Sequence, residues 1–197
     1  ILVMASVGVF TLRQLSSQSQ MVYTDYTQPL AEFAKMGTAL TKHHQVLLDV
    51  ATATKQADFV QEVTKLAPLK AEVDKAVSNY KSTTLRLSRS GRDETKDLSL
   101  FEPALKKYFQ DADGALSAMV DSFDKTMLSS GQADQMRALG VLALTVNLTP
   151  SFENAVKRHN EQVTSIEAVA KDLNDDAQAL ANNGTVILIV GGLVAVA

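Results

Sequence analysis

Residues 23–53 read YTDYTQPLAEFAKMGTALTKHHQVLLDVATA, and two interleaved stripes across this stretch decide the fold. Val22, Tyr26, Pro29, Phe33, Met36, Leu40, His43, Leu47 and Val50 recur in steps of four and three. That is the spacing of a seam on a long helix packed lengthwise against others. Beside it run Leu30, Ala34, Gly37, Thr41, His44, Leu48 and Ala51, so the stripes predict one wide buried face with polar side chains set into it. A strand alternates with period two and does not repeat this way over so many residues.

Composition supports helices throughout. The chain has 197 residues, enough for one domain with a sizeable core, and only nine glycines and four prolines. A net charge of −3 is spread along the chain, and no basic patch with interleaved aromatics supports nucleic-acid binding. With no cysteine, disulfides and thiolate metal sites are excluded; with no tryptophan, an aromatic ligand cage would be built from Tyr or Phe.

Outward from the opening stretch lie two uncharged ends, ILVMASVGVFTL (1–12) and TVILIVGGLVAVA (185–197). Each is shorter than the roughly 20 apolar residues that span a bilayer. They read as clipped transmembrane segments: 1–12 the end of a first span, 13–184 an extracytoplasmic domain, and 185–197 the start of a second span. The domain then leaves the membrane and returns to it on the same side.

The first helix is expected from about 11 to Thr54, bent at Pro29. The second spans 57–89 with the seam Phe59, Val63, Leu66, Lys70, Val73, Val77, Tyr80, Thr84 and Leu87. RSGRDETKD (89–97) is a loop, and a third helix starts near Asp97 or Ser99 with Pro103 in its first turns. Its seam is Leu98, Phe101, Leu105, Tyr108, Ala112, Ala115, Met119, Ser122 and Thr126, and LSSGQ (128–132) ends it. A fourth helix begins near Ala133 and kinks around Pro150, with Phe152, Val156, His159, Val163, Ile166, Ala170, Leu173, Ala177 and Leu180 as its seam. Asn182-Asn183-Gly184 is a point of loosening at the membrane surface. The predicted fold is all-α, an up-down-up-down antiparallel four-helix bundle whose first and fourth helices continue into the membrane.

This sequence resembles the periplasmic sensor module of bacterial methyl-accepting chemotaxis receptors. Tyr23, Asp25, Pro29 and Leu30 match that family's tendency towards Tyr-x-Asp-x-x-x-Pro-Leu after the first span. Where the family often carries arginine or another basic residue, this chain has Tyr26, His43 and His44. The resemblance implies a homodimeric receptor in the bacterial inner membrane. It also implies a small-molecule ligand of the organic-acid or amino-acid class, and cytoplasmic signalling partners reached through a C-terminal part. The same module occurs in histidine kinases and cyclases, which remain alternatives, as does a structural dimerisation bundle that binds nothing.

No phosphate loop, His-Glu-x-x-His or Gly-x-Ser-x-Gly motif is present, so the chain reads as non-enzymatic and without a cofactor. The candidate site is a polar layer. At 1.5 Å per residue, His43 lies about 16 Å below the membrane-distal tip, Thr41 and Lys70 about 20 Å, Asn147 about 21 Å and Asp113 about 22 Å. With His44, these six residues place polar groups from four helices at one level, where Pro68 and Pro150 also fall and open the packing. Lys70 and a protonatable histidine there suit a carboxylate. The blander readings are a hydrogen-bonded core histidine, a Lys70 that reaches out to water, an Asp113 that faces solvent, and a Gly37–Thr41–His44 stripe serving as a dimer face. Tyr26, Tyr80 and Tyr108 read as core or interface aromatics. His159, about 39 Å below the tip, is too far from His43 to share a metal ion.

Overall fold

The computed structural model describes residues 27–123 and 130–196, together with Ser16, Ser17, Gln20 and Thr24; for Ala34, Ser130, Leu180 and 183–196 it describes the backbone alone. Helix α1 spans Gln28–Thr52. The second arm of the bundle is divided into α2, Gln56–Val63, and α3, Leu66–Lys81. The third arm is α4, Glu94–Asp121. The fourth comprises α5, Ser130–Leu142, a π-helical turn, Ala143–Asn147, and α6, Leu148–Val196.

Along α1 every described member of the predicted seam from Pro29 to Val50 is buried. The neighbouring stripe is half-buried at Leu30, Gly37, His44, Leu48 and Ala51 and exposed at Thr41. The seam from Leu98 to Ser122 on α4 is likewise buried at every position. Phe33, Met36, Leu40, Tyr80, Phe101, Tyr108, Met119, Leu144 and Ile166 are withdrawn from water and form the centre of one continuous core. Each such side chain contributes about 1.5–3 kcal/mol from burial.

The second arm departs from expectation. It breaks at Thr64–Lys65, because the ring of Pro68 collides with a helical carbonyl four residues back, at Thr64. It ends at Lys81 instead of residue 89, where the Ser82 and Thr83 hydroxyls donate to the carbonyls of Asn79 and Tyr80 at 2.6 and 2.7 Å. Thr84 and Leu87, placed on the seam by their spacing, therefore lie exposed in the connection. That connection folds back through a Leu87–Asp93 bridge, with Gly91 at φ 84°. Helix α4 starts earlier than expected, at Glu94, because Asp93 caps it by accepting from the backbone N–H of Thr95 and Lys96 at 3.0 and 3.2 Å. Pro103 thus sits well inside the helix, with its ring exposed.

In the fourth arm the expected kink is realised as the π turn. Pro150 offers no N–H to Val146, which lies within Ala143–Asn147, and the backbone widens there instead of breaking. Beyond it, α6 is continuous to Val196, so the expected loosening at 182–184 does not interrupt it. Its inward face is also rotated from the predicted seam. Leu148, Ser151, Ala155, His159, Gln162, Ser165, Ile166 and Val169 are buried, whereas Phe152, Val156, Val163, Ala170, Leu173 and Ala177 are half-buried on the flanks.

The four arms form a bundle in which α1 packs on α3 and α6, and α4 packs on α5 and α6. Helices α3 and α4 are not closely packed on each other, and a groove lies open between them. Gly37 allows α1 and α6 to approach closely, since a Cβ there would lie 2.7 Å from Cε1 of His159. Among the described residues no helix is long and apolar enough to cross a membrane; segment 1–12 and the side chains of 185–197 lie outside that description.

Candidate functional site

His43 occupies an inward position of α1 and is 4 % exposed. Its Nδ1 shares a hydrogen bond of 2.9 Å with the Tyr108 hydroxyl of α4. Tyr108 and Phe109 meet the imidazole edge-on, with ring centroids 5.6 and 5.1 Å away. Burial, with His44 and Lys70 adding positive charge, lowers the His43 pKa from 6.5 to about 4, so the ring is neutral at pH 7. Burial also raises the Tyr108 pKa above its usual value.

His44 points elsewhere, as the 100° step along a helix requires. Its ring stacks on Phe152 of α6, with centroids 3.9 Å apart and planes 6° from parallel. Burial lowers its pKa as well, and its Nδ1 is buried without a partner among the described residues. These rings join α1, α4 and α6 at one level.

On the far side of Phe109 lies the open groove between α3 and α4, about 420 Å³ in volume. That falls within the usual range for small-molecule sites. Val77, Leu105 and Phe109 provide its apolar surface; Lys70, Asp74, Glu102, Lys106, Gln110 and Asp113 provide its polar one. Lys70 Nζ donates to Asp74 at 2.7 Å and sits 4.8 Å from the centroid of Phe109. This cation–π contact keeps the ammonium over the aromatic face.

The predicted layer is therefore only partly assembled. Lys70 and Asp113 share the α3–α4 groove, and His43 lies beneath its Phe109 wall. Thr41, Asp113 and Asn147 are exposed and do not face the interior together. Thr41 opens on the α1–α6 groove beside His159, and its hydroxyl donates to the Gly37 carbonyl at 2.9 Å. Asn147 belongs to a separate hollow with Lys107, Asp111 and Asn154. Sequence spacing assigned Phe109 and Phe152 to helix packing alone; in the folded chain they also join the histidine level to the groove and to α6.

A second polar group lies deeper along the bundle. Gln162 Nε2 donates to the Tyr80 hydroxyl at 2.6 Å, which donates to Glu94 Oε1 at 2.7 Å, while the Arg86 N–H donates to Glu94 Oε2 at 2.8 Å. Glu94 is 1 % exposed, and burial raises its pKa against the lowering effect of these hydrogen bonds. His159 Nε2 donates to the Phe33 carbonyl at 2.8 Å, and Ser165 donates to Asp97. Glu94 was hidden in a segment that reads as loop, and Gln162 and Ser165 in a helix judged by its apolar pattern.

Comparison with known proteins gives one result. Residues 1–181 match the family described as a four helix bundle sensory module for signal transduction. No curated protein and no solved structure matches the chain.

Proposed function

Since the chain belongs to the four-helix-bundle sensory modules of methyl-accepting chemotaxis receptors, we propose that it binds a small solute of the organic-acid or amino-acid class in the α3–α4 groove. The observation that carries this reading is the open side of the bundle, where charged groups from two helices flank the Phe109 ring. A solute there bears on Phe109 and, behind it, on the Tyr108–His43 pair. His44, next along α1, stacks on Phe152 and so connects the same level to α6. A small slide or rotation of α6 then carries the signal along its continuous length. The solute shifts the receptor only to the extent that it contacts the two positions of α6 differently.

In this reading the apolar ends lie in the bacterial inner membrane and the bundle stands in the periplasm. The chain acts on cytoplasmic signalling partners through a following output module; a histidine kinase or cyclase remains the alternative output. The half-buried flank of α1 at Gly37 and His44, continued on α6 by Phe152 and Val156, favours pairing with a second copy of the chain.

The test is a thermal-shift screen of organic acids, amino acids and aromatic acids. Stabilisation by one class is expected, and no response to any class would favour a spacer that binds nothing. Lys70→Leu combined with His43→Leu should weaken binding while circular dichroism retains the helical signal; unchanged affinity removes Lys70 and His43 from the site.

A further inference from the structure

The α3–α4 groove contains complementary charges of which one pair closes across it. Lys81 and Glu102 meet at 2.6 Å and set the register of the two antiparallel helices. The same register places Lys70 opposite Asp113. Lys70 does not reach across: its ammonium pairs with Asp74 on its own helix at 2.7 Å and rests on Phe109. Asp113 and Lys106 both line the groove, and neither has an ion-pair partner among the described residues. They stand on one face of α4, two turns or about 10.5 Å apart along its axis. Phe109 and Gln110 lie between them, and Val77 and Leu105 line the groove at the Lys106 end.

From this arrangement we infer that the groove takes a linear zwitterion of the ω-amino-acid type. The ammonium sits at Asp113, the carboxylate at Lys106, and the methylene chain along the apolar surface. The inference rests on the reading of the chain as a solute sensor. Length selects the class: extended chain covers about 3.5 Å per three bonds, so 6-aminohexanoate separates its charges by about 7 Å and comes within hydrogen-bond reach of both side chains. The two charges of an α-amino acid are closer together than the two-turn spacing of Lys106 and Asp113 along the helix. Charge selects it too. Lys70 and Glu102 are already paired with Asp74 and Lys81, which leaves Asp113 and Lys106 to decide: a dicarboxylate brings its second carboxylate beside Asp113, and a diamine brings its second ammonium beside Lys106, and either like-charge contact is unfavourable.

Calorimetric titration of the full chain in detergent micelles with 6-aminohexanoate, hexanoate, hexylamine, L-leucine and succinate tests the class. Binding of 6-aminohexanoate at least about tenfold tighter than the other four is expected, with Lys106→Gln and Asp113→Asn each weakening it about tenfold. Both residues are exposed, so circular dichroism should not change. The exchanged pair Lys106→Asp with Asp113→Lys should recover binding, since the zwitterion can reverse. If L-leucine or succinate binds tighter, or if neither variant weakens 6-aminohexanoate, the zwitterion inference is overturned and the sensor reading stands. Failure of all five compounds to bind also overturns it, and the wider thermal-shift screen then decides the sensor reading separately.

Discussion

Gln162 of α6 donates its side-chain amide to the hydroxyl of Tyr80 on α3 at 2.6 Å, in an interior where Gln162 is 0 % and Tyr80 1 % exposed. The same hydroxyl donates onward to Glu94 at the start of α4. One oxygen atom thus ties three arms of the bundle together, and its removal strands two partners at once. Tyr80→Phe should therefore lower folding stability by about 2–4 kcal/mol, the cost of leaving a buried donor and a buried carboxylate unsatisfied. It should also raise the Glu94 pKa further, because the Tyr80 hydrogen bond is the foremost of the influences that lower it. Urea unfolding reads the first effect and a carboxyl NMR titration the second. A loss below about 1 kcal/mol would mean that water enters and replaces the hydroxyl.

His43 makes stability depend on pH. Its pKa is lowered from 6.5 to about 4 in the folded chain, so between those values the unfolded chain binds the proton first. Stability is full above pH 6.5 and falls as the pH drops towards 4, by up to about 3 kcal/mol from this residue. The lowered pKa of His44 acts in the same direction. His43→Gln retains a partner for the Tyr108 hydroxyl and does not titrate. Urea midpoints measured from pH 7 to pH 4 should accordingly show a shallower acid loss in the variant than in the parent chain. Parallel pH profiles would show that His43 charges without cost.

The same residues explain what was legible in the sequence. On α1 and α4 the inward positions, His43 and Glu94 apart, are filled largely by apolar residues, so a stripe such as Phe33–Met36–Leu40 identifies its own buried face. On α6 the inward positions include Ser151, Gln162 and Ser165, and a pattern based on hydrophobicity settles on their half-buried neighbours instead. The candidate layer shows a related gap. Helix rise gives height, and at that height Lys70 does approach the His43 aromatic pair, but height says nothing of direction. Thr41 and Asp113 each follow a buried residue, Leu40 and Ala112, and the 100° step turns them to solvent. Asn147 precedes buried Leu148 within a π turn whose width no periodicity anticipates. The role of Glu94 depended on Tyr80 and Gln162, which are distant in sequence and meet it only in the folded bundle.

The approach of α1 and α6 at Gly37 and His159 offers a test of how tightly the fourth arm is held. A methyl group at Gly37 would lie 2.7 Å from Cε1 and 3.1 Å from Nε2 of His159, closer than packed atoms tolerate. The ring must move, and its 2.8 Å bond to the Phe33 carbonyl moves with it. Gly37→Ala should therefore destabilise the chain by about 1–3 kcal/mol through overpacking, although alanine is the better helix former. Replacing the ring removes the collision. In the His159→Ala background the same Gly37→Ala change should cost nothing or stabilise by up to about 1 kcal/mol, from helix propensity alone. A double-mutant cycle of urea unfolding free energies isolates the coupling between the two positions. A coupling well above the scatter of additive pairs is expected; additive values would show that α1 and α6 separate at this level without cost, and would remove the tight register that transmission along α6 requires.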